Sequence, residues 1–389
     1  MKRDYEYIVL GLGGFGSAAA YWLSRRAGAE VLGLEQFELG HVRGESQDHS
    51  RIIRLSYHTP AYVELAKHAF RAWAQLEKDA GEQIVLKTGG LDFAPRVSAI
   101  PLAEYSGSMD AAGVPYETLD AAEIMRRWPP FRLTDDIHGL FQPESGIAMA
   151  ARGNAAHQRV AREQGATLLE RCPVESVRPS RAELVVTAGG VEYRCRRLIV
   201  AGGAWTNRIL APLSVELPLR VTQEQVTYFA TSRPADFQPD RFPIWIWLDE
   251  PFFYGLPVFG EQGPKVGQHG GGREVTPDTR TFEPDQAALG RVQDFLRKYL
   301  PSALGPIIYT KSCLYTLTPD TDFVLDAVAR HPEVLVAIGG GHGFKFASLI
   351  GRILSELAVD GHTEHDIAPF RIDRPTLHLD RHGPTTART

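Results

Sequence analysis

The hydrophobic pattern of this chain changes period along its length. Residues 5–10, Tyr-Glu-Tyr-Ile-Val-Leu, form a short apolar run that reads as a buried strand. A glycine-rich turn follows, Gly11-Leu12-Gly13-Gly14-Phe15-Gly16, and then helical spacing over residues 17–27. A second apolar run at 30–35 ends on Glu35. Helical spacing returns at 61–81, 153–165 and 285–299. Residues 167–200 read as a meander of short strands that runs into Gly202-Gly203-Ala204-Trp205. Residues 215–275 are rich in Thr, Tyr, Phe, Trp and Pro, with alternation such as Gln225-Val226-Thr227-Tyr228-Phe229, and predict a sheet. A last apolar run, Val334-Leu335-Val336-Ala337-Ile338, breaks at Gly339-Gly340-Gly341-His342-Gly343 and resumes as a helix near Phe346. Stretches 90–150 and 235–262 read as loops able to close over a site, and the tail from about 373 as polar, proline-bearing and loose.

The opening strand, turn, helix and strand have the form of a dinucleotide-binding unit. Gly11 permits the tight turn, Gly13 lets the backbone approach a pyrophosphate, and Gly16 lets the helix pack close to the sheet. The helix N-terminus offers free N–H groups and partial positive charge to phosphates. Glu35 is placed to accept hydrogen bonds from ribose hydroxyls, which suits an adenosine without a 2′-phosphate. Glycine spacing alone also arises in accidental turns; strand, helix, spacing and Glu35 together select nucleotide binding. The expected fold class is α/β (α+β overall). A discontinuous Rossmann-like domain is expected over 1–85, 150–212 and 313–375, with a sheet-based substrate domain over 86–149 and 213–312.

Composition narrows the function without naming it. At 389 residues, 43% apolar and 23% charged, the chain is long enough for two subdomains with large cores. A net charge of -5 gives no reason to expect nucleic acid or an anionic membrane. No apolar run reaches the roughly 18 residues of a bilayer span. The start, Met-Lys-Arg-Asp-Tyr-Glu-Tyr, lacks the apolar core of a signal peptide, and Thr385-Thr386-Ala387-Arg388-Thr389 is neither a peroxisomal nor an ER address. Cys172, Cys195 and Cys313 are odd in number and far apart, which points away from a disulfide framework and toward a reducing cytoplasm. No Cys/His spacing suits zinc, and no metal is expected. Only 8 of the 42 basic residues are lysines, so Lys265 and Lys345, both in glycine-rich segments, stand out.

A lone cysteine is ordinarily a small buried hydrophobe, but the surroundings of Cys313 argue otherwise. It lies in Lys311-Ser312-Cys313-Leu314-Tyr315-Thr316-Leu317-Thr318-Pro319-Asp320. This segment, the opening fingerprint, Ser50-Arg51-Ile52-Ile53-Arg54, Phe253-Tyr254-Gly255-Leu256-Pro257, Lys265-Val266-Gly267-Gln268-His269 and Gly341-His342-Gly343-Phe344-Lys345-Phe346 occur in order over essentially the whole chain. Together they resemble the monomeric sarcosine oxidase and N-methyltryptophan oxidase family, in the glycine/D-amino-acid oxidase superfamily. The resemblance implies covalent FAD bonded through Cys313, oxidation of secondary amino acids with O2, hydrogen peroxide as product, and a monomer in the cytoplasm. The partners it implies are a small amino acid and O2, with no nucleic acid and no membrane.

The same resemblance assigns roles. Gly11, Gly13, Gly16, Glu35, Cys313, Gly341, Gly343 and Lys345 are expected around the cofactor. Arg54 and Lys345 are expected to hold the substrate carboxylate, Arg54 through a bidentate fork. Arg51 is expected near the flavin. Lys265 is expected on the flavin face opposite the substrate, where an ammonium stabilises negative charge developing on oxygen. Tyr254, His269 and Tyr315 are expected to line the substrate pocket, with His269 titrating near neutral pH and tuning the amine's protonation. Lys311 and the cofactor are expected to favour the Cys313 thiolate. Against these stand ordinary readings: a solvated basic patch for the arginines, an exposed strand-end lysine for Lys265, and structural Tyr and His. One departure is visible. The family run His-His-Gly-Asp-Thr is here Ser46-Gln47-Asp48-His49-Ser50, so Gln47 stands where a histidine near the flavin is expected, and His49 is displaced by two positions.

The leading reading is an FAD-dependent oxidase of sarcosine and similar N-methyl amino acids, giving glycine or the free amino acid, formaldehyde and H2O2. The same anchors serve a cyclic or bulkier secondary amine such as L-pipecolate, L-proline, N-methyltryptophan or a fructosyl amino acid. A non-catalytic nucleotide-binding module is a third reading, under which Lys265, Arg54 and Cys313 would be coincidences.

Overall fold

The computed structural model describes residues 2–181 and 183–378. In chain order these form β1 (Asp4–Leu10), α1 (Gly14–Ala27), β2 (Val31–Leu34), β3 (Arg51–Ile53), α2 (Pro60–Ala80), β4 (Val85–Lys87), β5 (Gly90–Pro95), α3 (Leu102–Ala111), β6 (Glu117–Asp120), α4 (Ala121–Arg127), β7 (Ile137–Gln142) and β8 (Gly146–Ala148). Then come α5 (Ala150–Glu163), β9 (Thr167–Leu169), β10 (Val174–Ser180), β11 (Glu183–Ala188), β12 (Val191–Val200), α6 (Thr206–Leu210), β13 (Arg220–Phe229), β14 (Ile244–Trp247), β15 (Phe253–Leu256) and β16 (Lys265–Gln268). The chain closes with β17 (Arg273–Glu274), α7 (Gln286–Tyr299), β18 (Ile307–Leu317), β19 (Val324–Val328), β20 (His331–Ile338) and α8 (Ala347–Asp360).

The first sheet has eight strands, ordered β10-β11-β12-β1-β2-β9. β12 also pairs with β20 through its last residues, and β20 with β19. β1 lies parallel to β12 and β2, and Ile8, Val9 and Leu10 are fully buried, as both-face burial in a parallel sheet requires. α1, α5 and α8 pack together beside this sheet. α1 and α8 cross closely because Gly351 has no side chain; a Cβ there would lie 2.4 Å from the Ala18 carbonyl carbon. α1 begins at Gly14, three residues before the expected start, because the glycines of the turn themselves adopt the first helical turn.

The second sheet has nine strands, ordered β17-β13-β16-β15-β14-β5-β7-β6, with β18 on the other edge of β13. Trp245, Trp247, Phe93, Phe131 and Phe295 of α7 form an aromatic core on one of its faces. A small antiparallel sheet, β3-β8-β4, carries Arg51.

The observed elements differ from the expected ones in several places. Residues 90–150 are not loops: they hold β5 to β8 and helices α3 and α4, and β5 pairs parallel with β14. Residues 235–262 likewise contain two short strands, β14 and β15, joined by irregular chain. The boundary between 312 and 313 falls inside β18, which is continuous along β13 and puts Cys313 in the second sheet. The tail is tied down as far as it is described: Arg374 pairs with Asp320 at 2.7 Å, and Leu377 is fully buried. Residues 379–389 lie outside the described residues.

Candidate active site

A cavity of about 480 Å³ runs from the C-terminal ends of β1 and β2 across to the second sheet. Gly11, Gly13, Glu35, Arg51, Arg54 and Gln47 line it from the N-terminal third of the chain. Tyr254, Lys265, His269, Cys313 and Tyr315 line it from the second sheet, and Gly341, Gly343 and Lys345 from the last glycine loop. The second sheet supplies its residues by alternation: Tyr254 and Lys265 face the cavity, while their neighbours Phe253 and Val266 fill the aromatic core behind.

At the nucleotide end, Gly11 has φ +86°, and a Cβ would lie 2.6 Å from the Ala201 carbonyl oxygen. Gly16 does not line the cavity. It lies under the turn, where a Cβ would sit 1.7 Å from the Gly11 carbonyl oxygen, so it shapes the turn by close packing. The N-cap of α1 is Gly13, without a side-chain cap. The Glu35 carboxylate accepts from the Leu12 N–H at 2.8 Å and the Phe37 N–H at 3.0 Å, and His41 lies 3.5 Å away. Burial alone would raise its pKa; these hydrogen bonds outweigh burial and keep it below the usual carboxylate range. A bare turn, an uncapped helix start and an ionised carboxylate at the end of β2 form a cradle that fits the adenosine and pyrophosphate of FAD.

At the other end, Lys265 is not an exposed strand-end lysine. Its side chain is 2% exposed, pairs with Asp48 at 2.7 Å and donates to the Ser50 carbonyl at 2.7 Å. Burial pushes its pKa down to about 8, with Asp48 opposing and Arg51 adding to the fall. Arg51 donates to the Ser50 and Glu45 carbonyls and lies 3.7 Å from Asp48. Arg54 is 2% exposed and pairs with buried Asp92 of β5 at 3.1 Å. The Arg54 guanidinium is 4.7 Å and the Lys345 ammonium 5.8 Å from the centre of the same Tyr57 ring. Burial, with Arg54 and Arg51 close by, pulls Lys345 well below the ordinary lysine range.

Two electrostatic expectations are corrected. His269 does not titrate near neutrality: burial, helped by Lys345 and Arg54, pushes it down to about 3, so it is an uncharged imidazole facing the Tyr315 hydroxyl at 3.4 Å. Nor does Lys311 act on Cys313; its ammonium faces Asp48 at 3.9 Å. Burial pushes the Cys313 thiol up to about 12, and the main opposing cation is Arg51. Gln47 donates to the Ser312 carbonyl at 2.8 Å, beside Cys313, and His49 is turned toward Glu261 at 3.1 Å.

Sequence reasoning missed Asp48, Asp92 and Tyr57. Asp48 had a signal: it stands at the glycine of the family run quoted above. Asp92 lay in a stretch read as loop. Among the described residues no group of three or more His, Cys, Asp or Glu could hold a metal. No described helix is long and apolar enough to cross a membrane.

Residues 6–357 match the family of FAD dependent oxidoreductases. The chain belongs to that family. It is 34% identical over 382 residues to a monomeric sarcosine oxidase of Arthrobacter sp. (strain TE1826), covering 97% of this chain and 98% of the relative. It is 30% identical over 376 residues to an N-methyl-L-tryptophan oxidase of Salmonella arizonae, covering 95% and 99%. Among solved structures it superposes on the open form of NikD, an unusual amino acid oxidase essential for nikkomycin biosynthesis, with a TM-score of 0.84 at 26% identity, covering 95% of this chain and 98% of NikD. This FAD-dependent oxidoreductase is therefore an amine oxidase of the sarcosine oxidase and N-methyltryptophan oxidase group.

Proposed function

We propose that the enzyme oxidises sarcosine and similar N-methyl amino acids, releasing glycine or the free amino acid, formaldehyde and H2O2. The observation that carries this reading is the pair of buried cations, Arg54 and Lys345, flanking Tyr57 on one wall of the cavity. Two buried cations on one cavity wall suit a carboxylate. Bound FAD supplies the redox chemistry, accepting two electrons from the substrate's C–N unit and returning them to dioxygen.

The chain's own residues bind, orient and exclude water. Arg54, held by Asp92, presents its guanidinium to the carboxylate, and Lys345 completes the clamp. An incoming carboxylate favours the charged form of Lys345, offsetting the burial and the neighbouring arginines that lower its pKa. Tyr254, Tyr315 and the neutral His269 wall the amine end. The burial and the nearby Lys345 and Arg54 that keep His269 uncharged also disfavour an ammonium there, so the reactive free amine is the form the site selects. Lys265 offers positive charge where oxygen gains electrons.

We read FAD as joined to Cys313 Sγ. Arg51 is the cation that eases loss of the thiol proton. The nucleotide-binding unit is taken as 1–85, 150–212 and the chain from the end of β18 to 375, with the rest forming the substrate unit. We read the protein as a cytoplasmic monomer that takes a small amino acid and O2. A panel of sarcosine, N-methyltryptophan, L-proline, L-pipecolate and a fructosyl amino acid, with peroxide detection, tests the substrate. Turnover of the cyclic or bulky amines in preference to sarcosine would overturn the choice of N-methyl substrate.

A further inference from the structure

Asp48 breaks two local rules at once. It is an acid with its side chain 2% exposed, and its φ is +90°, a left-handed region that favours glycine. Strain of this kind persists only where the surroundings over-determine it. Here three cations converge on one carboxylate: Lys265 at 2.7 Å, Arg51 at 3.7 Å and Lys311 at 3.9 Å. The Tyr228 hydroxyl donates to it at 3.0 Å and that of Tyr309 lies at 3.5 Å. The cations hold Asp48 ionised far below the usual carboxylate range, although burial alone would raise it.

We propose that Asp48 is a positioning residue for the oxygen half-reaction: its carboxylate fixes the Lys265 ammonium in place and keeps it charged although both side chains are buried. The proposal rests on the reading of Lys265 as the residue that serves oxygen reduction. Lys265 is buried, and its neighbours pull in opposite directions. Arg51 on β3 disfavours its charge, and Asp48, in the loop before β3, supports it. Cys313 of β18 supports it only when ionised, and that thiol is pushed up to about 12. From β13, Tyr228 offers a ring 5.8 Å from the ammonium. Its hydroxyl stays protonated, since burial and Asp48 raise it. The carboxylate is therefore the fixed anion that offsets burial and Arg51. Its backbone conformation brings it under Lys265 from a segment more than two hundred residues earlier in the chain.

The test uses the holoenzyme and two variants. Asp48→Asn keeps the shape and tolerates the positive φ; Asp48→Gly relieves the backbone and removes the side chain. An opposite charge within about 4–6 Å shifts a pKa by roughly 1–3 units. Both variants are therefore expected to lower the pH midpoint of flavin reoxidation by about 1–3 units, while the pH profile of flavin reduction by substrate stays put. A second readout does not depend on turnover: 13Cε-lysine NMR of the protein with and without FAD, where only 8 lysines contribute and Lys265→Met assigns the signal. The Lys265 titration should move down by the same amount in both variants. A midpoint that stays in place or rises in both overturns the proposal. Lys265→Met separates the two layers. Wild-type reoxidation in that variant would overturn the oxygen role of Lys265 and leave the ion pair to be judged by NMR alone.

Discussion

Replacing Arg54 tests the proposed carboxylate clamp most directly. The guanidinium is 2% exposed and already engaged by Asp92 at 3.1 Å, so its long-range pull on an anion is largely offset. What it offers an incoming carboxylate is a short-range, oriented fork. Truncating one partner of a buried, hydrogen-bonded charge pair costs about 2–5 kcal/mol. With Lys345 still present, we expect about 3 kcal/mol for Arg54→Ala, on the order of 100-fold in Kd. Arg54→Lys should also weaken binding, because an ammonium cannot reproduce the fork. The assay is titration of the oxidised flavin spectrum with methylthioacetate, beside steady-state turnover of sarcosine and of an amine lacking a carboxylate. Arg54→Ala strands the buried Asp92 carboxylate, which alone costs about 3–5 kcal/mol of stability. Arg54→Ala/Asp92→Asn removes that liability, and it should recover stability without recovering affinity. If the double variant binds the acid as wild type does, or if the neutral amine loses as much as sarcosine, Arg54 is structural and the clamp lies elsewhere.

Three further outcomes are expected. Cys313→Ala should release flavin on acid precipitation where wild type retains it; retention in the variant would reject attachment through this sulfur. Lys265→Met should slow reoxidation by oxygen far more than reduction by substrate in stopped-flow traces, since its charge serves only the oxidative half; equal losses in both halves would refute the role. His157 is wholly buried and pushed by burial from about 6.5 down to about 3, so the unfolded chain binds its proton first as pH falls. Its contribution to stability is intact above pH 6.5 and is lost toward pH 3, by about 1.4 kcal/mol per pH unit; His157→Phe should flatten that limb in urea melts, and an unchanged limb would reject the assignment.

The elements that could be read from the sequence are those whose pattern is local. α2 follows the Thr59 cap and opens on Pro60, whose fixed φ suits a first helical residue, and it stops at Gly81 with φ +66°. α7 opens on Asp285, which accepts from the Ala287 and Ala288 N–H groups. The β1–α1 unit carries its own turn chemistry. β5 to β7 carry no such marker. β5 is buried on both faces and interrupted by Asp92, and its partner β14 comes roughly 150 residues later. An acid in a buried strand makes sense only beside Arg54, and nothing in the order of residues says that the two meet.

The same reasoning explains the uneven reading of the site. Lys265, Arg54, Cys313 and Lys345 were found because each sits in a segment resembling a known motif, and all four line one cavity. The charge states of His269 and Cys313 were misjudged because charge depends on what burial and distant neighbours do. His269 is neutral because of Lys345 and Arg54 as well as burial, and Cys313 answers to Arg51 rather than to Lys311, two positions away in sequence. Asp48 is the sharpest case. As a residue it reads as a solvated turn acid; as a departure from a glycine it signals that something must hold it there. A buried acid at positive φ conflicts with burial preference and backbone preference together, and such conflicts persist where a functional arrangement requires them. The arrangement that holds Asp48 is the cation cluster around the proposed oxygen site, so the position where local rules fail is also the one where three cations meet one carboxylate.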